Sequence, residues 1–351
     1  MTKANLINLL KMGTCALALA GVSTPSLAQS STLYLGWQGG SRENLMKEKI
    51  LPLFEKEHDA KVEYVAGVST ELLARLQAQR SNQELDVVML DDGPMYQAVE
   101  FGLCDKLDAD PIYEKMTPAA KMSGAEQNAI GVGFVALGLV YNSATFEKNG
   151  WAAPTSWKDL ERPELQGKAV VMSISNTFGL GALVTYAKLA GGSETNIDPG
   201  FQYITDKIKP NVLAFVPTSG QLSSLFQNGE VAVAAWSNDR ANALHESGFP
   251  AAFAFPKEGA VATLVAACAV EKPNPNPLAQ EFVRFLLKPE IQEILANGAQ
   301  LSPANRETVL SKELAAKLAS EDKHTLVKID WSTVNPQRAD WTRRWAREIE
   351  Q

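Results

Sequence analysis

An α/β fold of two lobes joined by crossing strands is the architecture this sequence predicts, and three observations predict it. From Ser31 onward, short apolar runs of strand length alternate with segments of helical periodicity. The alternation comes in two blocks. The segments between them, Gly131 to Tyr141 and Pro250 to Val270, are rich in β-formers, which suits the crossings of a hinge better than a flexible tether. The length of 351 residues suits two domains of about 150 residues each. With 45% apolar and 21% charged residues, the composition excludes a disordered chain, a collagen-like repeat and a coiled coil.

The first 28 residues read as a leader. Lys3 and Lys11 are the only charges before Arg42, and an apolar stretch runs from Met12 to Val22. Ser26-Leu27-Ala28 supplies the small-x-small ending of a secretory signal peptide cut before Gln29. The stretch is too short to span a bilayer. Cys15 stands at the start of the apolar core, where a lipoprotein cleavage site does not fit. Without the two leader lysines the formal net charge moves from −7 to −9. The mature protein is therefore expected in the periplasm, where Cys104 and Cys268 meet an oxidising compartment. Those two residues either form a disulfide or stand as separate buried thiols.

Within the mature chain, Thr32 to Gly36 reads as a short buried strand, followed by the glycine turn Trp37-Gln-Gly-Gly-Ser41. A helix over Asn44 to His58 carries Leu45, Ile50, Leu53 and Phe54 at helical spacing. Lys61 to Val65 is the next strand, and Thr70 to Gln79 the next helix, with Leu72, Leu73 and Leu76 on one face. Leu85 to Leu90 is a third strand, closed by Asp91-Asp92-Gly93-Pro94. Elements of these lengths call for right-handed crossovers and a mainly parallel sheet. After the apolar segment Ile130 to Tyr141, a second block begins with strand Lys168 to Ile174. Asn176-Thr-Phe-Gly-Leu-Gly181 opens a helix running to about Leu189; strand Val212 to Phe215, a helix with Leu222 and Leu225, and strand Glu230 to Trp236 follow. Helices Pro277 to Leu287 and Pro289 to Asn297 lead into a charged tail with Trp331, Trp341 and Trp345.

Four phrases recur in a telling order: Asp86-Val-Val-Met-Leu-Asp-Asp-Gly-Pro94, Gly138-Leu-Val-Tyr-Asn142, Ser223-Ser-Leu-Phe-Gln-Asn-Gly-Glu230 with Val231 to Trp236, and Phe255-Pro-Lys-Glu-Gly259. With the leader, the lobes and the helical tail, they make the chain resemble the two-lobed (type II) periplasmic solute-binding proteins of extracellular solute-binding family 1. Within that group it is most similar to the spermidine/putrescine-binding proteins and their ferric-iron and thiamine-binding relatives. The resemblance covers most of Ser31 to about Asn297. It implies a ligand cleft between the lobes, closure about a hinge, and delivery to the permease subunits of an ABC transporter in the inner membrane. It also implies residues 29–132 plus 263–351 as lobe 1 and 133–262 as lobe 2. A monomer without cofactor or catalysis is expected.

Open α/β sheets bind ligands beyond the carboxyl ends of their strands. In the first such loop, Trp37, Gly39, Gly40 and Ser41 combine an aromatic wall, an accessible backbone and a residue suited to cap the next helix. Asp91 and Asp92 follow the third strand, where a carboxylate either grips an ammonium group or caps a helix. Ser175, Thr177 and Gly179 stand at a helix start whose free N–H groups suit a carboxylate or phosphonate, and Ser219 repeats the arrangement one helix later. Trp236 matches the position of a ligand-stacking tryptophan in the polyamine binders, although Trp-Asn-Gly there is Trp236-Ser-Asn-Asp-Arg240 here. Asp239 and Arg240 pair with each other or reach the ligand, and Arg240 suits a carboxylate. Thr263 and Val265 stand where those binders carry a tryptophan and an aspartate that hold a ligand amine, a departure that disfavours a long polyamine. The adjacent tyrosine pair of the ferric-binding relatives is absent too. The expected ligand is a small amine-containing or zwitterionic solute, polyamine-like or an ω-amino acid. A small carboxylate, phosphonate or thiamine-like solute is the alternative, as is a role for the same binding fold as the sensory partner of a membrane receptor.

Other classes fit poorly. No Gly-x-Ser-x-Gly nucleophile elbow is present, none of His58, His245 and His324 stands in a setting tuned for catalysis, and the three are too scattered for a histidine-rich metal site. Gly179-x-Gly181 lacks the third glycine of a dinucleotide loop. The acidic balance argues against a nucleic-acid partner. An enzyme is not expected.

Overall fold

A computed structural model describes residues 32–320 and 323–351; the leader expected at residues 1–28 lies outside the described residues. Among the described residues, eleven strands form one continuous sheet. They are β1 (Thr32–Trp37), β2 (Lys61–Ala66), β3 (Val87–Asp91), β4 (Ile130–Asn142), β5 (Ala169–Met172), β6 (Val212–Val216), β7 (Val233–Ser237), β8 (Ala251–Ala254), β9 (Ala260–Ala269), β10 (Ser302–Pro303) and β11 (Leu326–Val327). The main order is β2-β1-β3-β9-β4-β7-β5-β6, with β8 and β10 on β4 and β11 on β9.

The expected parallel pairing holds in each arm, where β1 runs parallel to β2 and β3, and β5 to β6 and β7. The seam is different. β9 and β4, the two long crossing strands, pair antiparallel with each other and with their outer neighbours β3 and β7. β3 and β7 therefore run in opposite directions, and their carboxyl ends approach each other along the seam. Asp91 pairs with Val265, and Ser237 with Leu137, which itself pairs with Val261, so only residues 262–264 of β9 separate the two strand ends. Helices start at both ends. A cleft at this point follows from the topology alone.

One arm packs Leu33, Leu35 and Met89 against Phe54, Phe282 and Leu295 from helices Leu51–His58, Leu278–Leu286 and Pro289–Ala299. The other packs Leu137, Val171 and Val233 against Leu180, Leu183 and Tyr186 of helix Thr177–Leu189. For the end of the tail the packing departs from the expected assignment to the first lobe. Trp331, Trp341, Trp345 and Ile349 are all buried in the cluster built around Leu137 and Leu183. The charged helix Arg338–Glu348 is strongly two-faced, and its indoles are buried on the apolar surface of that cluster.

Cys104 and Cys268 form a disulfide, with 5.7 Å between their Cα atoms. It ties the segment after helix Asp92–Glu100 to the crossing strand β9. No helix among the described residues is long and apolar enough to cross a membrane.

Candidate functional site

The ends of β1, β3, β5 and β7 deliver their following residues to one place. Gln38 and Arg42 follow β1, Asp91 ends β3, Thr177 opens helix Thr177–Leu189, and Asp239 and Arg240 lie in the first turn of helix Asn238–Glu246. Arg42, only 4% exposed, donates from Nη2 to Asp239 Oδ2 at 2.8 Å, and Asp239 is 5% exposed. This buried ion pair joins the two arms. Arg42 Nη1 donates to Gln38 Oε1 at 2.9 Å, and its guanidinium carbon lies 5.3 Å from the centre of the Trp37 ring. The Ser237 hydroxyl donates to the other oxygen of Asp239 at 2.5 Å. Burial pushes the Asp239 carboxyl upward, but Arg42 and Arg240 outweigh it and hold the group below its ordinary value.

Gln38 sits between an acid and a base. Its Nε2 donates to Asp91 Oδ1 at 3.4 Å, while Arg240 Nη2 donates to its Oε1, also at 3.4 Å. Asp91 has a second bond across the arms, from Thr177 Oγ1 at 3.2 Å. Arg240 Nε lies 3.5 Å from Asp239 Oδ2, outside hydrogen-bond range. Both groups are thus partly buried, and their bonds to Gln38 are long and weak. Burial raises the Asp91 carboxyl, with Arg42 opposing, and burial lowers the Arg240 guanidinium, with Asp239 opposing.

The other expected site residues are placed as follows. Trp236 is wholly buried, because strand alternation turns it toward Val140, Ala234 and Leu222. Its ring lies parallel to Phe226 at 6.2 Å, and only its Nε1 reaches outward, donating to Ser219 Oγ at 3.3 Å. Trp37 is likewise wholly buried, in the core of the first arm. Both indoles therefore back the site rather than face it. Gly39 and Gly40 form the turn after β1; Gly40 has φ of 75° and occupies the N-cap position, so Ser41, which is exposed, caps nothing. Asp91 occupies an N-cap position but makes no capping bond, which leaves its carboxylate to Gln38 and Thr177. Ser175 is exposed and donates to Ser173 Oγ at 3.3 Å, while the cap of that helix is Asn176, accepting from the Phe178 N–H. Gly179 packs on the backbone of Ser173. Thr263 lies on β9 opposite Val135, between the two strand ends, and is 4% exposed.

Asp92 faces away from this cluster, with Oδ1 accepting the Gly93 N–H at 3.0 Å. Burial, with Asp91 beside it, pushes its carboxyl up to about 7. The folded protein then keeps this proton where the unfolded chain, titrating near 3.9, has lost it. The stabilisation is fully present below pH 4 and lost as pH rises through 7, at a slope of up to roughly 1.4 kcal/mol per pH unit. Asp92→Asn is expected to flatten that segment of the curve, which urea unfolding at successive pH values would read directly. An unchanged slope would show that Asp92 ionises normally in the folded protein.

Gln38, Arg42 and Arg338 belong to this region, and the loop-by-loop reading of the sequence missed them. Gln38 lies within the predicted glycine turn and Arg42 directly follows it, so their signal was present in the polar residues of that loop. Arg338 comes from the tail. Both of its terminal nitrogens are buried without a hydrogen-bond partner, within electrostatic reach of Asp91 and Asp92. No local pattern announces it.

Residues 49–321 match the family model of the bacterial extracellular solute-binding proteins. The chain belongs to that family. Among the relatives of this solute-binding protein, an uncharacterized protein of Haemophilus influenzae is 24% identical over 318 residues, covering 88% of this chain and 89% of its own. An ABC transporter structure from Clostridium perfringens is 26% identical and superposes with a TM-score of 0.73, over 90% of this chain and 99% of that one. The periplasmic binding protein AfuA from Actinobacillus pleuropneumoniae, solved with fructose-6-phosphate bound, shares the fold at 22% identity, with a TM-score of 0.76 over 91% of this chain and 98% of its own. The two-lobe type II fold expected from the sequence is thus the fold of this solute-binding protein.

Proposed function

We propose that this protein is the periplasmic substrate-binding component of an ABC importer, and that its cleft captures a small zwitterion, an α- or ω-amino acid, by closure of two lobes. The lobes are residues 29–132 plus 263–351 and residues 133–262, with the tail indoles of residues 331–345 docked on the second. One observation carries the choice of ligand: Gln38 is bracketed by Asp91 and Arg240, two partly buried charged groups whose hydrogen bonds to it are both 3.4 Å long. A ligand with an ammonium at Asp91 and a carboxylate at Arg240 offers each a shorter, charge-assisted partner. A polyamine satisfies only the first of these and leaves Arg240 as it is. Contacts made to both lobes at once favour the closed state over the open one, which is how binding and closure are coupled. Delivery would be to the permease subunits in the inner membrane, by a monomer.

A thermal-shift panel tests this on the mature protein, residues 29–351, stripped of carried ligand by unfolding and refolding. The panel holds α- and ω-amino acids, polyamines, dicarboxylates, aminophosphonates, thiamine and ferric salts. At about 100 times Kd the correct ligand stabilises by roughly 2.7 kcal/mol, which raises Tm by several degrees. The expected result is a shift with a zwitterion that Arg240→Ala removes while the variant stays folded. A shift with diamines alone would overturn the zwitterion.

A further inference from the structure

A second recess, about 320 Å³ in volume, lies on the other side of the β4–β9 seam. Phe134 and Leu264, which pair in register, line it; neighbouring residues alternate in direction, so these two stand on the opposite face of the seam from Val135 and Thr263. Tyr96 and Trp331 add two further aromatic walls. The Trp331 ring is pressed so closely on Gly93 that a Cβ there would meet it at 2.6 Å, which fixes the indole beside the neighbouring Asp92. Asp92 is 8% exposed and is the one buried charged group of the lining, since Lys121, Lys328 and Asp330 stand exposed around it. The Asp330 carboxylate is already engaged by Ser332 and Thr333.

We propose that this recess is a ligand site separate from the cleft, and that it takes a small organic monocation, a primary ammonium on an aromatic or aliphatic body. Aromatic faces attract a cation placed over them, and a carboxylate fixes where the ammonium sits. The volume is at the small end of the range for small-molecule sites, so the body is limited to about one ring. Burial makes the Asp92 carboxyl costly to ionise, and an ammonium beside it removes much of that cost.

Titration calorimetry of the mature protein with 2-phenylethylammonium chloride tests the site, with 2-phenylethanol as the neutral analogue. Saturable one-to-one binding is expected, weakened at least about tenfold by Asp92→Asn and about as much by the neutral analogue. Leu264→Phe, which fills the recess without touching a charge, is expected to weaken it as well and serves if Asp92→Asn fails to fold. Asp91→Asn keeps the affinity if the cation sits in the recess, and loses it if the cation sits in the cleft, where Asp91 is the carboxylate that would hold it. The proposal is overturned by absent saturation up to about 10 mM probe, by unchanged affinity in the folded Asp92→Asn protein or in Leu264→Phe, or by loss in Asp91→Asn. Failure of the amino-acid panel leaves these readings untouched, so the two sites stand or fall separately.

Discussion

Asp239→Asn is expected to lower the unfolding free energy by about 3–5 kcal/mol. The substitution keeps the shape of the side chain and removes its charge, leaving the Arg42 guanidinium 4% exposed with only neutral acceptors, the amide oxygen at position 239 and the Gln38 carbonyl oxygen, and the Trp37 ring as partners. A buried ion pair contributes little net stability when intact, because both ions were taken from water, yet breaking it strands one charge. The double variant Arg42→Met/Asp239→Leu follows from the same reasoning and is expected to recover most of the loss. Urea unfolding of the three proteins gives the comparison, with an unchanged m-value marking a change in stability alone. A loss of under about 1 kcal/mol in the single variant would mean that Arg42 finds water by parting the two arms.

Removing the disulfide is expected to have a larger effect still. Cys104 and Cys268 are 164 residues apart in sequence, and in the chain-entropy account a loop of that length restricts the unfolded ensemble by about 5 kcal/mol. In the folded state both residues are buried, and Cys268 sits in register opposite Val88 at the heart of the β3–β9 pair. Cys104→Ala/Cys268→Ala would therefore keep the sheet and lose the restriction. Guanidinium unfolding of the variant, and of the natural protein with and without reductant, measures it. The m-value should rise along with the loss, because an unbridged chain exposes more surface when unfolded. Equal midpoints with and without reductant would show the bridge to be dispensable.

Much of the fold was legible because its signals are local. Short apolar runs marked the strands of both arms within a few residues, and the β-rich character of the crossing segments pointed to strand-like crossings, though not to the one continuous sheet they build. The antiparallel seam was not readable, since pairing partners such as Asp91 and Val265 lie far apart in sequence. For the site, the loops were found correctly as strand ends, yet the contribution of each side chain depended on facing. Trp236 and Trp37 stand at promising positions and turn inward, because the cores beneath them have room for a large ring and the alternation of the strand points them there. Arg42, at the end of the predicted loop and not singled out there, turns toward the opposite arm and makes the buried ion pair with Asp239. Arg338 shows the limit of such reading: it arrives from the far end of the chain, and only the packing of Trp341 and Trp345 beside it fixes where it stands.

The placement of those tail indoles also sets a timetable for the newborn chain. The second core begins at Leu137 on β4 and includes Trp341, Trp345 and Ile349, which come far later in the chain. Ribosomes add about 5–20 residues per second, so the first of these apolar side chains waits roughly 10–40 s for the last. During that interval the half-made core has no partner for its open face.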